Sequence, residues 1–321
     1  MRTWFATANS WRRSSASAPC RLSRSSRRPE SAGNPYDPQR LELFENLFSF
    51  LRGTIPTARR VENRAEQAKT NLAFFEAYFS NFIEGTEFSI QEAEEIVFDG
   101  VIPVERPDDA HDVLGTFRIV SDDVEMSRSP TDFGEFLDLL RYRHATIMGA
   151  RQDKRPGEFK TKNNQAGNTV FVAPELVTGT LEKGFAIFRG LGDPFQRAAF
   201  VMTLVSEVHP FVDGNGRIAR VMMNAELVSA NEERIIIPTS YRADYLGALK
   251  ALSLNQTFSP LSRMLVYAQR YTHSIAWDDL DRGFAFLAVQ SPMNHADTVS
   301  PATPKATKSE TGVRWSPCRL Q

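Results

Sequence analysis

Cysteine is nearly absent from this 321-residue chain: Cys20 and Cys318 are the only two, one near each end. That excludes a disulfide framework, a thiolate metal site and a cysteine nucleophile in the body of the protein, and it fits a reducing, cytoplasmic setting. An excess of charge is lacking too. Lys and Arg total 38 against 39 Asp and Glu, a net charge of -1, so no strong overall field favours nucleic acid. No stretch approaches the ~18 uncharged apolar residues of a membrane span. Several signatures are missing: G-x-x-x-x-G-K-[ST], G-x-S-x-G and H-E-x-x-H do not occur. His111, His144, His273 and His295 lack metal-ligand spacing and read as packing or surface residues. What is present is 41% apolar and 24% charged residues, enough for a substantial core in one large domain or about two of ordinary size.

The ends differ from the middle. Residues 1–34 are rich in Arg and Ser, with no acid before Glu30. They read as a disordered basic tail or a start codon placed too far upstream, in preference to a targeting segment. Residues 291–321 are polar and aperiodic and read as a second disordered tail. Between them the spacing predicts helices. Asp37-Pro38 is a cap with proline at the first helical position, and Leu41, Phe44, Leu47, Phe48 and Leu51 follow at helical intervals. Ser89 and Glu92 form a capping box for a short helix stopping at Gly100. Further helices are expected over about 57–84, 108–124, 131–149, 175–190, 194–208, 215–230, 241–254 and 260–287. Strand signals are few: 158–162 and 169–172 flank a polar turn and read as a hairpin, and 234–237 is a short apolar run ended by Pro238. The fold class is mainly α with one hairpin.

Two of these helices, 194–208 and the segment 218–228, are apolar nearly all round, as central buried helices are. The stretch between them is His209-Pro210-Phe211-Val212-Asp213-Gly214-Asn215-Gly216-Arg217-Ile218-Ala219-Arg220. Pro210 ends the first helix, leaving the imidazole of His209 at its C-terminus. Phe211 can anchor the loop. Gly214 and Gly216 permit positive φ and close backbone approach, so the amides around Asn215 can form an anion nest at a helix start. Asp213 beside it can hold Mg²⁺, which needs only one or two carboxylates plus substrate phosphates. Arg217 and Arg220 share a face, in the first turns, where the helix dipole disfavours cations by ~0.3–1 kcal/mol each. A base, a metal carboxylate, an amide cradle and two guanidinium groups make a kit for cutting a nucleoside polyphosphate. Any one of these residues reads more simply as part of an Asp-Gly turn between two core helices; the conjunction does not. The same letters fit G-x-G-x-x-A, but that fingerprint requires a preceding strand, and a helix precedes it here.

His209 to Arg220 resembles, at every defining position, the motif HPFx(D/E)GNGRxxR of the Fic family, whose members mostly move AMP from ATP to a protein Ser, Thr or Tyr. The resemblance covers roughly 110–260. Arg155–Phe159 and the hairpin ending Phe171-Val-Ala-Pro174 look like the family's flap, and 242–249 like its downstream helix. It implies a Fic-type helical core at 110–260, an N-terminal helical region at 35–109 and a C-terminal helical extension at 261–290. It implies that His209 deprotonates the target hydroxyl and that Asp213 ligates Mg²⁺. Phe211, Gly214, Asn215, Gly216, Arg217 and Arg220 then serve nucleotide binding. The cofactors implied are ATP and Mg²⁺, and the partner is a protein substrate whose backbone pairs with the flap. Self-modification and a homo-oligomer stay open; a specific nucleic acid or a membrane is not expected. Kinases of the family carry Lys where Gly216 stands, so AMP transfer is expected over phosphorylation.

Upstream, Ser80-Asn-Phe-Ile-Glu84-Gly85 fits the family's inhibitory pattern (S/T)xxxE(G/N). Ser80 and Glu84 share a helical face, and Glu84 lies at a helix C-terminus, where an anion is disfavoured. Pairing Glu84 with Arg220 relieves two opposite misfits and removes a phosphate-binding guanidinium. The expectation is a protein adenylyltransferase held off by Glu84. The alternatives are the same site removing AMP or using another nucleotide and, from a different class, a non-catalytic interaction protein.

Overall fold

The computed structural model describes residues 33–61 and 63–278; the two terminal segments read above as tails lie almost wholly outside these residues. Eleven α-helices and one two-stranded hairpin are found among the described residues. The helices are α1 (Pro38–Arg52), α2 (Glu66–Ile83), α3 (Ile90–Phe98), α4 (Pro107–Val120), α5 (Asp123–Met126) and α6 (Phe133–Ile147). After the hairpin strands β1 (Gln165–Ala166) and β2 (Thr169–Val170) come α7 (Val177–Phe188), α8 (Pro194–Val208), α9 (Asn215–Ser229), α10 (Arg242–Asn255) and α11 (Ser259–His273). No described helix is long and apolar enough to cross a membrane.

The all-round apolar pattern of α8 has the consequence expected of it. Phe200, Val201, Met202, Leu204, Val205 and Val208 are all wholly buried. Helix α8 packs most extensively on α9, and α1 and α7 cover its other flank. Helices α4 and α6 close over α9. A second apolar cluster surrounds α2, with Phe74, Phe75, Phe79, Phe88 and Trp277 at its centre. The local start signals hold. Asp37 accepts from the amides of Gln39 and Arg40. Asp193 accepts from Gln196 at the start of α8. The Ser89–Glu92 box closes in both directions.

Five segments depart from the sequence reading. The helix expected from 57 begins only at Glu66, because 59–61 pair with a distant segment. Val61 donates to the Asn231 carbonyl and Glu233 donates to that of Arg59. The helix expected over 108–124 ends at Val120, where Asp122 caps a separate turn, α5. The expected strand over 234–237 is extended but joins no sheet. Its backbone is satisfied by side chains, with Asn224 bonding both N–H and C=O of Ile235 and Thr272 accepting from Ile236. The hairpin's first arm is Gln165–Ala166, not 158–162. The Lys160 amide is used elsewhere, donating to the Pro210 carbonyl at 2.8 Å. The last helix stops at His273; residues 279–287 of the expected one lie outside the described residues.

Candidate active site

The loop from His209 to Gly214 joins the two central helices, and its shape follows from its sequence. His209 caps α8 in the left-handed region at φ 52°. Gly214 opens α9 at φ 72°, where a side chain would also strike Met148 Sδ at 2.7 Å. Asn215 braces the turn, accepting from the Phe211 amide at 2.9 Å and donating back to its carbonyl at 3.0 Å. A cavity of about 370 Å³ opens beside this loop, within the range of nucleotide-sized sites. Its walls include Glu84, Phe171, His209, Gly216, Arg220 and Tyr245.

His209 lines the cavity and presents a ring nitrogen able to accept a proton. Its Nδ1 faces the Ser206 carbonyl at 3.2 Å. Only a ring N–H can bond there, so Nε2 is left as the acceptor. Phe171, at the end of the hairpin, stacks on the imidazole with ring centroids 3.7 Å apart. Burial is the main reason its pKa falls to about 4; charged Lys160 adds to the fall, while Glu84 and Asp213 oppose it. The ring is therefore neutral at pH 7. Lys160 is itself buried, and burial pushes its pKa down to about 8.

Glu84 closes the other side. It caps α2, and Gly85 follows at φ 96° to turn the chain away. One Glu84 oxygen accepts from Arg220 at 2.7 Å. Ser80 reinforces the contact, its Oγ taking a bond from Arg220 Nε at 3.0 Å and its carbonyl one from the guanidinium at 2.8 Å. Tyr245 lies under the same cation, 5.9 Å from its ring centre. The carboxylate also rests over the start of α9: a Cβ on Gly216 would fall 2.1 Å from Glu84 Oε1. A side chain at 216 would force the Glu84 carboxylate to move from this position. An anion already sits where the helix dipole and free amides favour one.

The structure brings His209, Gly216, Arg220, Ser80 and Glu84 together, and separates others. Arg217 does not share the cavity with Arg220. It bonds Asp112 Oδ2 at 2.5 Å and Asn81 Oδ1 at 3.2 Å. Arg151 bonds the same Asp112 at 2.8 Å. The reason is the wholly buried carboxylate of Asp112, which needs cations; three residues around a helix are enough to send the two arginines to different partners. Phe211 is wholly buried in the core and does not line the cavity. Asp213 lies outside the lining and is half-exposed, its Oδ1 accepting from the Gly214 amide at 2.7 Å. Among the described residues no three metal-ligating side chains converge. A single accessible carboxylate nevertheless fits Mg²⁺ that brings its remaining ligands from phosphates and water.

His144 carries more than the packing role its sequence suggested. It is wholly buried. It stacks on Phe211 with centroids 3.6 Å apart and bonds the Asp213 carbonyl at 3.0 Å. A lone histidine on α6, 69 residues from its partner, gives no signal in the sequence. Burial takes its pKa to about 4. Between pH 6.5 and 4 the unfolded chain therefore binds a proton that the folded chain does not. This contribution is full above pH 6.5 and falls as pH drops toward 4. Urea melts should show wild type losing about 2 kcal/mol more than His144→Gln between pH 7 and 4.5. Equal losses would contradict the buried neutral ring.

Residues 135–227 match the family model described as Fic/DOC family. Protein adenylyltransferase fic-1 of Caenorhabditis briggsae is 27% identical over 194 residues, covering 56% of this chain and 37% of the relative. Protein adenylyltransferase Fic of Nematostella vectensis is 26% identical over 217 residues, 64% and 47% respectively. The chain thus spans less than half the length of these curated relatives. Among solved structures, Fic-1 (aa134 - 508) from C. elegans superposes with a TM-score of 0.55 at 21% identity, covering 73% of this chain and 70% of that one. That likeness is one of fold.

Proposed function

We propose that this chain, whose residues 135–227 match the Fic/DOC family, transfers AMP from ATP to a hydroxyl of a protein in this cavity, restrained by Glu84. The observation that carries the reading is the Glu84 carboxylate. It pairs with Arg220 over the amides of Gly216, at a helix N-terminus, where phosphate oxygens are favoured for the same reasons. His209 faces the same cavity with Nε2 as acceptor. Glu84 is thus an internal stand-in for the anion the site accepts.

In the proposed reaction the target hydroxyl oxygen bonds to the α-phosphorus and its proton passes to His209 Nε2. The bond from the α-phosphorus to the bridging oxygen breaks, and pyrophosphate leaves with the electron pair. Gly214, Asn215 and Gly216 present the amide cradle. Arg220, once free of Glu84, meets the terminal phosphates. Arg217 stays with Asp112 and adds positive charge behind the cradle. Mg²⁺ held at Asp213 would neutralise phosphate charge. The hairpin offers a strand edge to the target backbone. Val170 is exposed on β2, although Arg40 already donates to its carbonyl at 3.0 Å.

The test compares wild type, Glu84→Gly and Glu84→Gly/His209→Ala with ATP labelled at the α- or γ-phosphate. The expected result is α-label on protein from Glu84→Gly alone. A γ-label signal would mean phosphorylation and overturn the reading. Label lost from pre-modified protein with wild type, and no forward transfer by Glu84→Gly, would assign the reverse reaction.

A further inference from the structure

Loop 208–213 is held from one side by hydrogen bonds to its carbonyls. Its carbonyls are bonded in succession by the segment leading to the hairpin. Lys160 Nζ reaches Val208 at 3.4 Å and its amide reaches Pro210 at 2.8 Å. Asn164 Nδ2 reaches Phe211 at 2.9 Å. The last carbonyl, that of Asp213, goes to His144. His144 bonds both partners of this seam. Its Nδ1 accepts from the Gly157 amide, at the root of the hairpin segment, at 2.9 Å. An accepting Nδ1 fixes the ring proton on Nε2, and Nε2–H donates to Asp213. The flat face lies on Phe211 at an interplanar angle of 5°. Gly214 passes so close that its Cβ would stand 3.4 Å from Nε2.

We infer that His144 is a positioning residue for the reaction proposed above. By donating to the Asp213 carbonyl and stacking on Phe211, it holds the phosphate-facing amides of 214–216 in place, and the bond it accepts from Gly157 sets the tautomer that donates. His144 touches no substrate and acts through the loop. The inference rests on the proposed nucleotide reading for its catalytic consequence, and on the loop geometry alone for its structural one.

Two isosteres separate the ring's two bonds. Asparagine places a polar atom near Nδ1 and keeps the acceptor for Gly157. Glutamine reaches the position of Nε2 and keeps the donor to Asp213. In the Glu84→Gly background, His144→Asn is expected to weaken binding of a non-hydrolysable ATP analogue at least tenfold by calorimetry and to lower kcat similarly. His144→Gln should stay within about threefold. Amide hydrogen exchange on the nucleotide-free proteins should accelerate at least tenfold at 211–216 in His144→Asn and not in His144→Gln.

A His144→Asn protein that folds, binds the analogue as tightly as its parent and exchanges 211–216 at the parental rate would overturn the inference. Equal losses in both variants, tracking their melting temperatures, would do the same by reducing His144 to a core residue. If the Glu84→Gly parent itself binds no nucleotide, the proposed function fails. The exchange experiment then still decides whether His144 holds the loop.

Discussion

Replacing Glu84 by glycine is expected to raise AMP transfer by roughly 10- to 30-fold, through tighter nucleotide binding and a freed Arg220. In the proposed reading Glu84 competes with the nucleotide as an intramolecular anion, so its hold on Arg220 sets the scale. A charge-assisted hydrogen bond contributes about 1.5–3 kcal/mol, and each 1.4 kcal/mol is about tenfold. The lower part of that range applies, because the Glu84 side chain is 28% exposed and partly screened. The substitution should cost stability, since Arg220 is buried and loses its charged partner. Arg220 keeps both bonds to Ser80, so the loss should be about 1–2 kcal/mol, below the 3–5 kcal/mol of a wholly buried pair. Ser80→Ala removes only the bond to Oγ and should raise transfer a few-fold. Calorimetric Kd for the ATP analogue and initial rates of α-label transfer measure both variants. A Glu84→Gly protein with the wild-type Kd and rate would show that Glu84 does not occupy the nucleotide's place.

Loss of the His209 imidazole should lower transfer by about 10² to 10⁴-fold in the Glu84→Gly background, the range for a general base. Analogue affinity should change no more than a few-fold, because Nε2 is assigned to the hydroxyl and not to the phosphates. Alanine at 209 must adopt φ 52°, a left-handed conformation costing about 1–2 kcal/mol. Asparagine visits that region more readily, so His209→Asn provides the folded control. The pH profile carries the sign of the buried ring. His209 is neutral above about pH 5, because burial and Lys160 outweigh the opposing charges of Glu84 and Asp213. The acid limb should lie near pH 4, with no loss of base between pH 8 and 5.5. Removing Glu84 takes away a charge that raises the pKa, so the limb moves no higher. An acid limb at 6.5 would place His209 in water rather than against Phe171. A rate unchanged by either substitution would remove His209 from the chemistry.

The parts of this protein fixed within a few residues of chain were legible in its sequence. Asp37, Ser89 and Asp193 cap helices because their side chains reach amides two or three residues on. The apolar run of α8 could satisfy itself only at the centre of a helical domain. The loop 209–216 reads directly, since Pro210 ends one helix and Gly214 opens the next. Ser80 and Glu84, four residues apart, are bound to face one way, and the negative charge of Glu84 points to Arg220 at a separation of 136 residues.

What the sequence left undecided were contacts whose partners have no fixed spacing. The segment 59–61 is extended because 231–233 offers it backbone bonds, and no periodicity encodes that. Arg217 and Arg220 look equivalent along α9, yet Asp112, 105 residues from Arg217, takes the first while Glu84 takes the second. His144 and Lys160 became supports of the loop only when α6 and the root of the hairpin closed over it. The physical reason is the same in each case. A cap or a helical face is set by backbone geometry over one turn, whereas a buried charge or imidazole takes whichever partner the packing of distant helices brings within bonding distance.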